Sequence, residues 1–217
     1  MSYYGNEYER RILMNIEALY FQKYFYFKHL NQSSSEHRVT YWVKLSRDIE
    51  LHRLMYALLD VVQNQPVLRT QFVTDDFNQL KINLRDFFPF IEIKEVNEMS
   101  QSIDLEAFFT RNLNSYHFNQ LPLFNFKIYQ FLDDAYLLLD FHATIFNESQ
   151  LTPFLQQVNI AYTHSLKSEY SISDFYNWIK EMNQKMDQNQ AECPLKHFNV
   201  LNADGDNYTY IPVRNTC

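Results

Sequence analysis

Glycine is nearly missing from this chain: Gly5 and Gly205 are the only two among 217 residues. A dinucleotide fingerprint, a Walker loop or a nucleophile elbow each needs several backbone positions without a Cβ, so those nucleotide-binding and hydrolase classes are excluded. Cysteine is as scarce. Cys193 and Cys217 are too few and too late in the chain for a disulfide framework, and nothing beside them has zinc-finger spacing, so a reducing cytoplasm is the expected compartment. No apolar run approaches the length of a membrane span, and the N-terminal stretch lacks the apolar core of an export signal. Positive charge is short as well. Nineteen Lys and Arg against 26 Asp and Glu leave a net charge of -7, which argues against nucleic acid or an anionic membrane as a partner.

Aromatic and apolar residues are abundant. Nineteen Phe and 16 Tyr help bring the hydrophobic fraction to 46%, enough for a folded core in one domain. The three- and four-residue steps of Ile12, Leu13, Ile16, Leu19, Tyr20, Tyr24 and Phe27 predict a helix from Glu7 to Leu30, its aromatic run Tyr20–Phe27 serving as core plus interface. Arg38–Leu45 alternates as a half-buried strand, and Ser46 and Asp48 are placed to cap a following helix that carries Leu51, Leu54, Leu58 and Val61. Val67–Val73 and Gln79–Leu84 read as a hairpin, Ile91–Val96 as a short strand and Asp104–Tyr116 as a helix. Leu123–Leu132 and Ala135–His142 form an antiparallel pair about Asp133-Asp134, the second apolar enough to lie centrally. Helices at Glu148–Ser168 and Ile172–Asn189 follow, then an irregular tail with a strand-like Tyr208–Val213. The expected class is α+β, helices packed on a mixed, largely antiparallel sheet, with residues 1–190 as the domain and 191–217 as a tail or edge strand.

Four collinear segments carry a more specific signal. His142-Ala-Thr-Ile-Phe-Asn147-Glu148 follows an apolar strand and precedes a helix with Leu151, Leu155 and Tyr162. Upstream, Leu68, Arg69, Thr70 and Phe72 end a helix-to-strand passage in which Asn64, Gln65 and Pro66 stand before them. Leu121-Pro122-Leu123 opens a strand, and Ile172-Ser-Asp174-Phe175-Tyr-Asn-Trp178 opens the last helix. Together these resemble the N-terminal lobe of a nonribosomal peptide synthetase condensation domain, whose motifs read HHxxxDG, RHExLRTxF, GPL and YxDYAxW. The resemblance implies the fold of chloramphenicol acetyltransferase, of which only the first of two lobes is matched.

The departures from those motifs bear on chemistry. The family's second motif histidine, credited with general-base help or with steadying the tetrahedral intermediate, falls on Ala143, and His142 matches the first. A one-residue slide would give His142 the second place and Phe141 the first, at the expense of Phe146 for the motif Asp and of the Leu151 and Tyr162 register. The family's structural ion pair corresponds here to Arg69 and Asn147, which keeps a hydrogen-bonding partner and loses a charge. Glu148 replaces the motif glycine; it is a helix cap or, alternatively, a substitute base. Asp174 and Trp178 match the last motif.

The resemblance implies a degenerate, noncatalytic condensation-domain lobe in nonribosomal peptide biosynthesis that works through contacts with a carrier protein or other synthetase domains, or as a homo-oligomer. The alternative is an acyltransferase using His142 in a cleft completed by a second subunit. No bound cofactor or metal is expected; a carrier protein's phosphopantetheine would be the substrate arm. Cys193 and His197 read as a surface tail rather than half a metal site, and His29, His37, His52, His117 and His164 as solvated or capping histidines.

Overall fold

A computed structural model of the chain describes residues 12–31, 37–118, 120–164 and 172–188, with two short strands at 200–201 and 207–208. The elements run β1 (Ile12–Glu17), α1 (Tyr20–Asn31), β2 (Arg38–Lys44), α2 (Leu51–Asn64), β3 (Thr70–Thr74), β4 (Leu80–Arg85), β5 (Glu92–Glu95), α3 (Leu105–Arg111), β6 (Phe124–Gln130), β7 (Ala135–His142), α4 (Leu151–Thr163), α5 (Ile172–Gln188), β8 (Val200–Leu201) and β9 (Asn207–Tyr208). The class is α+β as expected, but the strands divide among sheets. β1-β4-β3 is wholly antiparallel, β2-β7-β6-β5 is antiparallel except for the parallel β5–β6 pair, and β8–β9 stands apart.

The four-stranded sheet is buried on both faces, which explains the unbroken apolar run of β7. Leu137, Leu139 and Phe141 point to the main core, where Phe126 and Phe141 meet Phe154 of α4 at ring distances of 5.6 and 5.4 Å and Phe141 stacks on Phe146 at 3.7 Å. Leu54, Leu58, Val61 and Val62 of α2 complete that core. On the opposite face Tyr136 and Leu138 join Tyr129, Phe131 and Phe109 of α3, and Trp42 stacks on Phe109. Asp140 and His142 continue this second face by the two-residue period of the strand.

Several local expectations need correction. Residues 12–17 of the first predicted helix form a strand, because Ile16 and its neighbours pair with β4 through Ile16↔Ile82 and Asn15↔Asn83. The helix proper starts at Tyr20, where the Gln22 side chain accepts from Leu19 N at 3.0 Å. Ser46 and Asp48 bond each other instead of capping α2; its first residues follow Glu50, whose N–H donates to the Tyr162 hydroxyl at 3.0 Å. Pro66–Arg69 is a short 3₁₀ turn, so β3 begins only at Thr70. The helix expected over Asp104–Tyr116 stops at Arg111, with Asp104 accepting from Ala107 N as its cap. Residues 165–168 and 209–213, Asn189, the 191–199 stretch with Cys193 and His197, and the expected domain boundary near residue 190 lie outside the described residues.

Candidate functional site

Strand β7 delivers His142 to the end of the sheet, and the Asn147–Gln150 turn then starts α4. His142 N donates to Leu123 O at 2.9 Å and Ala143 N to His37 O at 2.9 Å, so the motif backbone is tied on both sides. α1 adds a third tie, since buried Gln22 donates to Thr144 O at 3.4 Å. The motif loop therefore rests on three elements distant in sequence.

The His142 side chain has no solvent exposure. Phe118 lies 4.7 Å and Tyr116 5.7 Å from it, ring to ring, both edge-on, and His37 closes a further side at 6.5 Å. Thr144 N–H donates to His142 Nδ1 at 3.1 Å, with the Thr144 hydroxyl 2.8 Å from the same nitrogen. A backbone donor on Nδ1 requires a lone pair there, which puts the proton of the neutral ring on Nε2. Nδ1 is thus occupied, and a protonated Nε2 is not a base. Ala143, half-buried, offers neither donor nor acceptor in its side chain.

Arg69 and Asn147 are not brought together as a bonded pair. Arg69 is buried; its Nη1 reaches Arg85 O at 3.5 Å, its Nε has no hydrogen-bond partner, and burial lowers its pKa against the opposing field of Asp86. Asn147 instead accepts from Ser149 N at 3.0 Å while its own N–H donates to the Gln150 side chain at 2.8 Å, a reciprocal cap. Glu148 is exposed in the turn that this cap starts. Trp178 is half-buried and stacks on Phe175 at 6.2 Å, while Asp174 is exposed in the first turn of α5. Tyr162 carries Arg53 over its ring at 4.9 Å as well as the α2 N-terminus. His52, His117 and His164 are exposed as expected, but His37 is buried, with Phe25 5.9 Å away; the His29 side chain lies outside the described residues.

Motif reading misses the charged group beside His142. Asp140, also without solvent exposure, sits 3.2 Å from Arg38 Nη2 and accepts from the Thr40 hydroxyl at 2.9 Å. Arg38 lies 4.5 Å above the Tyr116 ring and donates to Asn114 O. Burial raises the Asp140 pKa despite Tyr116, Arg38, Thr40 and Lys127, all of which act to lower it; burial foremost, then Asp140, drives the Tyr116 phenol upward. One carboxylate inside an apolar strand, two residues before the histidine, was the available signal. Among the described residues no group of His, Cys, Asp and Glu has the makings of a metal site, and no helix is long and apolar enough to cross a membrane.

Comparison with known proteins places this arrangement. A variant of the starter condensation domain of rhizomide synthetase RzmA superposes with a TM-score of 0.68 at 13% identity over 83% of this chain and 45% of that one. The condensation domain from the Monacolin K polyketide synthase MokA gives 0.65 at 13% identity over 90% and 48%, and the tallysomycin biosynthesis protein TlmII 0.59 at 17% over 71% and 40%. The chain thus spans under half the length of these structures, and the likeness is one of fold. No curated protein matches its sequence. The Condensation domain family matches residues 16–197, a span that includes every described element from α1 to α5, and on that match the chain belongs to the condensation-domain family.

Proposed function

We propose that this chain is a degenerate, noncatalytic condensation-domain lobe that serves a nonribosomal-peptide-type synthetase through protein contacts. The observation that carries the reading is the state of the motif: alanine at the family's catalytic place, and beside it an imidazole sealed from solvent whose Nδ1 accepts from Thr144 N–H. General acid–base help is worth about 10²–10⁴-fold, and a positioned oxyanion donor about 10²–10³-fold. A lobe without an accessible base does not supply the first. Tyr20, Tyr24 and Phe27, exposed along one side of α1, suit a contact surface for a carrier protein, a neighbouring synthetase domain or a second copy. Phosphopantetheine enters this reading only as a carrier's arm, and the cytoplasm is the compartment that suits it.

The test is a product assay by mass spectrometry with carrier-bound and CoA-bound acyl donors, comparing wild type, His142→Ala and Ala143→His. No amide or ester above the uncatalysed background is expected in any of the three. Turnover in wild type that disappears in His142→Ala would overturn the reading in favour of an acyltransferase whose cleft is completed by a second subunit.

A further inference from the structure

We infer that the outer edge of β2 pairs antiparallel with β2 of a second copy of this chain, joining two four-stranded sheets into one. β2 ends the order β2-β7-β6-β5 and pairs with β7 alone among the described residues. Just beyond its ends, His37 O accepts from Ala143 N at 2.9 Å and Leu45 N donates to Ala135 O at 2.8 Å, so the odd-numbered residues of the stretch bond to β7. The backbone N–H and C=O groups of Arg38, Thr40, Trp42 and Lys44 therefore point away from the sheet. No described residue bonds to them.

The two edges of this sheet differ in chemistry. β5 reads Glu-Ile-Lys-Glu, charges of the kind that keep an edge from pairing. Between Arg38 and Lys44, β2 reads Val-Thr-Tyr-Trp-Val, all residue types favoured in sheets, with no proline, bulge or charge to guard it. Its apolar margin is open as well. Val39, Tyr41 and Val43 are half-buried where their β7 neighbours Leu137, Leu139 and Phe141 are buried, and Trp42 stays 40% exposed although it stacks on Phe109.

The sequence of β2 suits itself as the partner. A twofold axis at Tyr41 sets Thr40 opposite Trp42 and Arg38 opposite Lys44 of the other copy, so all four outward-facing residues exchange backbone hydrogen bonds. Val39 then meets Val43, and Tyr41 meets Tyr41, at the non-hydrogen-bonded sites where side chains come closest. The one like-charged match is muted within each chain, because Asp140 lies 3.2 Å from Arg38 and Asp134 2.7 Å from Lys44.

The pairing is independent of the proposed loss of catalysis, and its test reads association, not turnover. Analytical ultracentrifugation of the full chain between roughly 10 and 500 μM should show monomer passing into dimer. Residue-resolved amide exchange should show the Thr40, Trp42 and Lys44 amides gaining protection with concentration, while Tyr41 and Val43, bonded to β7, stay protected throughout. Trp42→Pro deletes an outward N–H and keeps the ladder to β7, a change that edge strands tolerate. By symmetry it removes two intermolecular bonds and should weaken the dimer by about 30-fold. Tyr41→Lys sets like charges face to face at the axis and should weaken it by about tenfold. A monomer at every concentration, a dimer in which the three amides exchange freely, or a dimer unchanged in a folded variant would each overturn the pairing. So would a monomer in which those amides are already protected, since a segment of its own chain would then lie along β2. Should both variants fail to fold, the wild-type amide pattern alone decides.

Discussion

If His142 is a packing and hydrogen-bonding element, removing it should cost stability on the scale of a core aromatic. In His142→Ala the imidazole leaves a void between Tyr116, Phe118 and His37. A buried Phe truncated to Ala costs about 3–5 kcal/mol, so the smaller imidazole should cost roughly 2–3. The second loss is electrostatic, since Thr144 N–H, buried with its residue, loses its acceptor and adds about 1–3 kcal/mol. The sum, about 3–6 kcal/mol, is a large share of the roughly 5–15 kcal/mol that holds a domain together. At a urea slope of about 2 kcal/mol/M the unfolding midpoint falls by about 1.5–3 M. His142→Asn separates the two losses, because its Oδ1 can replace Nδ1 as acceptor while part of the void remains; its midpoint should lie between those of wild type and His142→Ala. Urea titration followed by tryptophan fluorescence is the assay. A His142→Ala loss below about 1 kcal/mol, or His142→Asn no better than His142→Ala, would refute the reasoning.

Two further outcomes follow from the same neighbourhood. Asn147→Asp should be neutral or stabilising by a few tenths of a kcal/mol to about 1 kcal/mol, because a carboxylate keeps the cap to Ser149 N and complements the helix start; thermal melting checks it, and a loss above 1 kcal/mol would show that the amide's own protons are needed. Asp140 has a folded pKa raised by burial above its ordinary value of 3.8, so its contribution is fully present below that value and is lost as pH rises through the folded pKa. The melting difference between wild type and Asp140→Asn should therefore move in favour of wild type as pH falls from 7 toward 4.5, other carboxylates titrating alike in both; a flat or opposite trend refutes it.

Much of the architecture is written locally. β7 reads as central from Tyr136 to Leu139, because both faces are packed and no polar alternation interrupts it until Asp140. β1 is different. Ile12 and Ile16 satisfy a four-residue step and a two-residue step at once, and what decides is β4, some 65 residues on. The motif position of His142 is legible in the chain, yet its burial is not, because Tyr116, Phe118 and His37 come from segments whose approach depends on the whole sheet. Arg69 and Asn147 show the limit of family likeness: with no charge on Asn147, the amide bonds locally as a cap and the guanidinium is left with a distant carbonyl.

The hydroxyl of Tyr162 has a consequence for how the chain reaches this fold. α2 begins without a side-chain cap of its own, and the Glu50 N–H is met by a phenol 112 residues later in the sequence. The Glu50 N–H is thus satisfied only when α4 has docked, and a contact of that sequence separation must wait for a large loop to close. As the chain leaves a ribosome, the Glu50 N–H lacks this acceptor until residue 162 has emerged, whereas the cap of Asp104 to Ala107 N is local in sequence. A chain cut before α4 would leave the buried face of α2, with Leu54, Leu58, Val61 and Val62, open to aggregation.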